Sequence, residues 1–172
     1  DYFADLDVRK ISYADPIRQE VSRIFNLRDV EEYDQFKRNE LTYTLPGRAP
    51  RTVDGRQVVR EIGMMMRSYN ENQFVEYVER QIESAPDAVW CITDLRFDNE
   101  LVSVKALDAV VVKILRAGVN YDGHVTEVEI PNALCDHVVC NDGDISDYQY
   151  EVVSLVEHVM HYHAPELLSE EE

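Results

Sequence analysis

TDLRFDNE, residues 93–100, follows directly on the apolar run AVWCI, residues 88–92. A short apolar run between a Pro-Asp pair and a charged turn predicts a buried strand. Because open α/β sheets bind ligands at the carboxyl ends of their strands, Asp94 and Arg96 lie where a ligand site is expected. Asp94 could hold a metal ion or accept a proton, and Arg96 could clamp a phosphate with paired hydrogen bonds. The purely structural alternative is an Asp that caps a helix over 99–107, with Arg96 exposed to solvent beside the start of that helix.

Strands and helices alternate along the rest of the chain. Apolar runs predict further buried strands over residues 109–115 and 136–141, and residues 8–14 are predicted to form a strand that Asp15 and Pro16 end. Helical periodicity predicts helices that begin at Pro16 with Asp15 as cap, near Arg56, near Phe74 and near Ser146. Residues 27–54 carry weak periodicity, which predicts short helical pieces followed by a long surface loop. The alternation predicts an α/β fold in three layers, a parallel sheet flanked by helices.

Length and charge bound the class of protein. A chain of 172 residues with 45% hydrophobic content is long enough for one packed domain, assigned to 1–168 ahead of an acidic tail at 169–172. The formal net charge of −17 repels duplex phosphate, which argues against a DNA-binding module but not against an enzyme for small nucleotides. No apolar run approaches the about 20 residues that span a bilayer, so a cytoplasmic protein without a membrane partner is expected. The three cysteines, Cys91, Cys135 and Cys140, are predicted to be buried reduced thiols.

Two pairs of charged residues are candidates for contacting a phosphorylated ligand. Arg56 and Arg67 are eleven residues apart, close to three helical turns, so a helix would place both on one face. A phosphate site would use such a pair, and ordinary surface ion pairing is the alternative. Asp15 and Arg18 stand at the start of a helix that follows a strand, where they could contact a base, sugar or phosphate, or serve capping alone.

Further candidates lie in the C-terminal half of the chain. His124 and Glu127 are three residues apart and would be neighbours on a helix, but a metal site needs a third ligand and none is obvious. Residues 141–144 (NDGD) form a turn sequence leading into the last helix, with Asp144 or Ser146 as its cap.

Five segments, taken together and in order, resemble the phage deoxynucleoside monophosphate kinases, a branch of the P-loop kinases. They are 12–18 (SYADPIR), 55–63 (GRQVVREIG) with Arg67 and 73–75 (QFV), 93–100 (TDLRFDNE), 124–127 (HVTE) and 141–143 (NDG). The resemblance covers nearly the whole chain, and it implies a P-loop kinase-like fold in which 27–85 form a mostly helical acceptor-binding insertion.

The resemblance implies transfer of the terminal phosphoryl group of ATP to a deoxynucleoside monophosphate, with Mg²⁺. Asp94 and Arg96 would then organise the metal and the transferring group, and Asp94 would be a metal ligand. The acceptor would be bound by Asp15, Arg18, Arg56, Arg67, His124 and Glu127. Asn141 and Gly143 would pack against the adenine of ATP. Catalysis would consist mostly of positioning and charge neutralisation.

The sequence departs from the family pattern in one respect. It contains no G-x-x-x-x-G-K-[ST] loop, whose amides and lysine hold the donor phosphates. Two explanations are open: the chain is a piece of a longer kinase that also supplies the first strand, or the donor site is lost and nucleotide binding is kept. In either case 1–172 alone is expected to transfer phosphate poorly.

A missing central strand would expose apolar surface, which favours aggregation or binding of a partner. A homodimer is one such assembly.

Three functions therefore remain open. The first is a kinase for small nucleotides in DNA precursor synthesis, acting in the host cytoplasm if the protein is phage-encoded. The second is a kinase for hydroxymethylated bases within DNA, which the net charge of −17 opposes without excluding. The third is a non-catalytic nucleotide-binding or interaction protein.

Overall fold

The computed structural model describes residues 6–44, 46–118 and 130–163, and within these ranges the chain is α/β. It divides into two compact units, Arg9–Leu95 and a second unit made of Asp1–Val8 with Arg96–Glu172. The single domain at 1–168 and the acidic tail at 169–172 remain predictions. None of the helices in the described ranges is both long and apolar enough to span a bilayer.

The unit Arg9–Leu95 consists of four helices and two short pairs of strands. Its elements are β1 (Val8–Ile11), α1 (Asp15–Phe25), α2 (Val30–Arg38), β2 (Glu40–Tyr43), β3 (Arg51–Asp54), α3 (Gly55–Tyr69), α4 (Gln73–Ser84) and β4 (Val89–Ile92). β1 pairs with β4, and β2 pairs with β3. Two helices begin at an Asp cap: Asp29 accepts from the amide of Glu32 at 2.9 Å, and Asp54 from that of Gln57 at 2.7 Å.

The core of this unit lies where α1, α2 and α3 meet. Val21, Tyr33 and Phe36 are buried, and half-buried apolar side chains of α1, β2 and α3 pack around them. Two glycines of α3 permit the close approach. A Cβ on Gly55 would stand 1.9 Å from the Phe36 carbonyl oxygen, and one on Gly63 would stand 2.9 Å from Cδ1 of Ile17. The helices therefore pack with almost no space between their backbones at Gly55 and with side-chain contact at Gly63.

The second unit contains α5 (Asp98–Ala106), β5 (Val112–Leu115), a 3₁₀ turn (Asn132–Leu134), β6 (His137–Cys140) and α6 (Ile145–His163). β5 and β6 are parallel, with Val112 opposite His137 and Leu115 opposite Cys140. Asp136 joins this pair to α5: its carboxylate accepts from Lys105 Nζ at 2.6 Å and from the amide of Val111 at 2.7 Å.

The α/β class predicted from the sequence is confirmed. Strands in the described ranges form three two-stranded sheets. The three-layer fold of a P-loop kinase, with one parallel sheet between two layers of helices, remains a prediction. Strand 109–115 was expected to be buried, but side chains alternate between faces along a strand. Val111 and Lys113 are buried, whereas Val112 and Ile114 are exposed, so the prediction of a buried strand is wrong for one face.

Several local predictions are corrected by the structure. The loop expected within 27–54 contains an antiparallel pair, β2 and β3, in which the hydroxyls of Thr42 and Thr52 lie 2.9 Å apart. Helix α1 begins at Asp15, and Ala14 occupies the N-cap position without a side-chain hydrogen bond, so Asp15 is the first helical residue and not the cap. Similarly, α5 begins at Asp98, after the cap residue Phe97.

The cysteine prediction is also wrong. All three cysteines are free thiols, but Cys91 and Cys140 are exposed and Cys135 is only half-buried. Both exposed thiols lie on four-residue strands of two-stranded sheets. In so narrow a sheet, side chains on an uncovered face stay in contact with solvent.

Candidate functional site

Asp94 lies two residues past the end of β4 and binds the turn that follows β1. Its Oδ2 accepts from the Ser12 hydroxyl at 2.7 Å and from the amide of Ala14 at 3.0 Å, and its Oδ1 accepts from the amide of Tyr13 at 2.8 Å. The strand ends adjoin as well, since the amide of Thr93 donates to the Ile11 carbonyl at 3.1 Å. One carboxylate therefore fixes three consecutive residues, of which Ser12 and Tyr13 are buried.

This arrangement limits how Asp94 can bind a metal. A carboxylate offers about four lone-pair sites, and three of them face Ser12, Tyr13 and Ala14. No group of three or more His, Cys, Asp or Glu side chains suited to a metal ion occurs in the described ranges. Mg²⁺ commonly keeps several waters and takes only one or two protein carboxylates beside substrate phosphates. The Asp94 carboxylate is compatible with such a site, and the metal itself remains a prediction.

Asp15 and Arg18 lie directly after the turn that Asp94 holds. Asp15 Oδ2 accepts from the amide of Ser12 at 3.0 Å, and its Oδ1 accepts from Nη1 of Arg18 at 3.1 Å. The Arg18 guanidinium in turn lies 5.6 Å from the ring centroid of Tyr33, whose pKa is raised by burial. The structure thus brings Asp15, Arg18 and Asp94 into one network, as a shared site requires.

Helix α3, which packs against α1, carries the two candidate arginines Arg56 and Arg67. Arg56, Gly63 and Arg67 recur at intervals of seven and four residues, so they lie on one helical face. Gly63 is the point where that face meets Ile17, the neighbour of Arg18. Arg67 therefore lies one turn beyond the contact with α1, and Arg56 two turns before it. The sequence prediction that both share a face is confirmed, but a helical rise of 1.5 Å per residue separates their backbones by about 16 Å.

Arg67 stacks on an aromatic ring of the next helix. Its Cζ lies 4.6 Å from the ring centroid of Phe74, and Phe74 is fully buried at the start of α4. Arg67 itself is half-buried, in contrast to the exposed Arg56. The guanidinium of Arg67 is thereby held at a defined place.

Arg96 lies in the other compact unit, at the entrance to α5, and its side chain is exposed. Its amide donates to Glu100 Oε2 at 2.9 Å, and the amide of Phe97 donates to the same oxygen at 3.1 Å. Glu100 is almost fully buried, at 1% exposure. Its carboxylate satisfies two amides at the beginning of the helix, as a Glu in the first turn commonly does.

Asn141 and Gly143 lie in the turn between β6 and α6. The amide of Asn141 donates to the Leu115 carbonyl at 2.7 Å, and the carboxylate of Asp142 accepts from the amide of Ala117. Asp144 caps α6, with Oδ1 accepting from the amides of Ser146 and Asp147 at 2.8 and 3.0 Å, as the sequence predicts. An open cavity of about 370 Å³ adjoins this turn and is lined by Cys140, Asp142, Gly143, Asp147, Tyr150 and Glu151.

The lining of that cavity favours some ligand groups over others. Three of the six lining residues carry a carboxylate, which repels phosphate and favours hydroxyl and amino donors. Tyr150, 76% exposed, offers an aromatic face. A base or sugar fits this lining better than a phosphate chain does.

Two further candidates, His124 and Glu127, lie outside the described residues.

Sequence reasoning missed the roles of Ser12, Gly63, Phe74 and Glu100. Each of them acts through a partner in another element or through a buried contact, and single-residue patterns do not reveal such contacts. Only Glu100 carried a local signal, because a Glu in the first turn of a helix commonly binds the amides at its start.

Comparison with known proteins identifies the family of the chain. Residues 58–152, more than half of the chain, match the family model for deoxynucleotide monophosphate kinase. A protein of Acanthamoeba polyphaga mimivirus named "Putative deoxynucleotide monophosphate kinase" is 26% identical over 157 residues, covering 85% of this chain and 81% of its own length. The matched segment contains Arg67, Asp94, Arg96, Asn141 and Gly143. The chain belongs to the deoxynucleotide monophosphate kinase family.

Proposed function

We propose that this protein transfers the terminal phosphoryl group of ATP to a deoxynucleoside monophosphate. The observation that supports the proposal is the contact between α1 and α3 at Ile17 and Gly63: Arg18 follows Ile17 in α1, and Arg67 lies one turn beyond Gly63 on the same face of α3. In a chain of net charge −17, arginines on two packed helices are the groups suited to bind a small anion. Family membership supplies the reaction class.

The acceptor nucleotide is assigned to the unit Arg9–Leu95. Arg67 binds the acceptor phosphate through its forked donors, since arginine matches the geometry of phosphate oxygens. Arg18, oriented by Asp15 at 3.1 Å, contacts the sugar or base. Arg56, whose backbone lies about 16 Å from that of Arg67, contacts a different part of the ligand and not the same phosphate.

The role of Asp94 is to set the turn from which Asp15 and Arg18 project. Its three hydrogen bonds to Ser12, Tyr13 and Ala14 support that role. One lone-pair site remains for a metal or a metal-bound water. When bound, Mg²⁺ would neutralise phosphate charge, and Arg96 would stabilise charge on the transferring group by the same electrostatic principle.

The adenine of ATP is assigned to the turn of Asn141 and Gly143. The acidic lining of the adjoining cavity supports a base or sugar at this turn and opposes phosphate there. His124 and Glu127 are assigned to the acceptor by family resemblance alone. In the reaction an oxygen of the acceptor phosphate bonds to the γ-phosphorus as the bond to the β–γ bridging oxygen breaks, and ADP leaves.

The function is tested by supplying the protein, as encoded and with any sequence upstream of Asp1, with radiolabelled ATP and Mg²⁺. The acceptors are each of the four deoxynucleoside monophosphates and duplex DNA containing hydroxymethylated bases. We expect labelled deoxynucleoside diphosphate from at least one monomer and no labelled DNA. Label in DNA alone would identify the base-modifying reaction instead, and saturable nucleotide binding without any labelled product would identify a non-catalytic binding protein.

A further inference from the structure

The contact between Arg67 and Phe74 joins a proposed ligand-binding cation to a buried aromatic ring on another helix. The guanidinium carbon lies 4.6 Å from the ring centroid, within the range of a favourable cation–π contact. Phe74 has no exposed surface, so it cannot itself touch a substrate. Any effect of Phe74 on the ligand must pass through a neighbouring side chain.

A guanidinium that stacks through its face uses none of its N–H donors for that contact, because those donors point outward in the guanidinium plane. The ring therefore limits where the Arg67 guanidinium can lie. A guanidinium already held in place loses less side-chain entropy when it binds phosphate. This advantage appears in ligand affinity, whereas the chemistry of the transferring group is left unchanged.

The connection between the two helices keeps the ring and the cation in register. Asn70 ends α3, with its amide bonded to the Met66 carbonyl at 3.3 Å. Its side chain accepts from the amide of Asn72 at 3.0 Å and donates to Glu76 Oε1 at 3.1 Å. Val75 and Val78 are buried beside Phe74 on α4, so the ring belongs to a packed layer and not to a mobile loop.

We propose that Phe74 is a positioning residue for acceptor binding, which orients the Arg67 guanidinium toward the phosphate of the deoxynucleoside monophosphate. The proposal rests on the assignment of Arg67 to the acceptor and adds the residue that determines its orientation.

The decisive experiment is a double-mutant cycle of Phe74→Leu and Arg67→Ala, read as kcat and KM for the deoxynucleoside monophosphate that the wild type phosphorylates. Phe74→Leu is expected to raise KM about fivefold and to leave kcat within about twofold, the size expected for loss of one cation–π contact. In the Arg67→Ala background the same change is expected to have less than about a twofold effect. Fully multiplicative effects of the two changes would overturn the proposal.

A loosened core is distinguished by Val78→Ala, a buried change one turn further along the same helix that leaves the Phe74 ring in place. It is expected to lower the melting temperature at least as much as Phe74→Leu while KM stays within about twofold of the wild type. An equal rise in KM in Val78→Ala would overturn the proposal, because general loosening would then explain the effect.

Failure of the proposed function is recognised separately. If no deoxynucleoside monophosphate is phosphorylated, the NMR signal of the Arg67 side-chain Nε–H still reports the stacking. A ring-current shift present in the wild type and absent in Phe74→Leu supports orientation of Arg67 by the ring. Absence of the shift in the wild type overturns it.

Discussion

The Ser12 hydroxyl donates to Oδ2 of Asp94 at 2.7 Å across 82 positions of sequence. The same carboxylate binds the amides of Tyr13 and Ala14, so the residue after one strand determines the conformation of the turn after its neighbour. Asp15 and Arg18, which begin α1, project from the end of that turn. The position of the proposed acceptor site therefore depends on a contact that forms only when β1 and β4 pair.

Asp94→Asn is expected to lower the free energy of unfolding by about 1–3 kcal/mol, because the amide has one acceptor oxygen where three donors converge. The measurement is chemical unfolding without nucleotide or Mg²⁺. Asp87→Asn, an exposed residue in the turn before β4, is the matched control and should leave stability unchanged. Wild-type stability in Asp94→Asn would mean that this carboxylate serves a ligand and not the turn.

Gly55→Ala and Gly63→Ala are expected to differ sharply. At Gly55 the new Cβ would meet the backbone of Phe36 at 1.9 Å, so helix α3 must shift and stability should fall by about 3 kcal/mol or more. At Gly63 the neighbour is the end of the Ile17 side chain at 2.9 Å, which can rotate, and replacing helical Gly by Ala gains about 1 kcal/mol. Thermal unfolding of both variants checks the difference, and equal losses would refute the close backbone contact at Gly55.

Gln73→Met is expected to stabilise the protein. Within the described part of the chain, the buried Nε2 of Gln73 has no hydrogen-bond partner, and a buried unsatisfied donor costs about 1–3 kcal/mol. The melting temperature should therefore rise, whereas Gln81→Met in the same helix should change it little. A lower melting temperature in Gln73→Met would indicate that an ordered water or a ligand satisfies this amide.

Stability should depend on Asp136 in acid. The Lys105 ammonium, and then the amide of Val111, hold the pKa of Asp136 below its usual 3.8. Because the folded-state pKa is the lower one, this stabilising contribution is complete well above pH 3.8 and is lost as the pH falls through the lowered value. Asp136→Asn should lower the free energy of unfolding at pH 7. Below pH 4 that free energy should fall less steeply than in the wild type. If the free energy of unfolding of Asp136→Asn fell below pH 4 as steeply as that of the wild type, Asp136 would not stabilise the contact between α5 and the β5–β6 pair.

The sequence located β4, β5 and β6 to within three residues, but the strand predicted over 8–14 ends at Ile11. Residues 12–14 form the turn that Asp94 binds. The apolar run before TDLRFDNE correctly predicts the strand β4 but not its burial, since its side chains are half-buried or exposed. The spacing of Arg56 and Arg67 correctly predicts one helix with both on one face. Ser12, however, becomes a partner of Asp94 only through tertiary pairing, which no local pattern encodes. The β2–β3 pair was missed because four-residue strands give too few alternations to stand out from a loop.

The solvent exposure of side chains in the short strands was the least predictable property. Cys91 and Cys140 lie within apolar runs, which favours burial, yet the sheets around them are only two strands wide. The stacking of Arg67 on Phe74 was also hidden, since the two residues belong to different helices and meet through the turn at Asn70.

The most direct test of the acceptor site is the binding isotherm of a deoxynucleoside monophosphate, measured by calorimetry on the wild type, on Arg67→Ala and on Arg80→Ala. Arg80 is an exposed arginine of α4, paired with Glu76 at 3.9 Å, and serves as the control. We expect Arg67→Ala to raise Kd about tenfold or more, as loss of charged hydrogen bonds to a phosphate does, and Arg80→Ala to leave Kd unchanged. Equal Kd values for the wild type and Arg67→Ala would contradict the account.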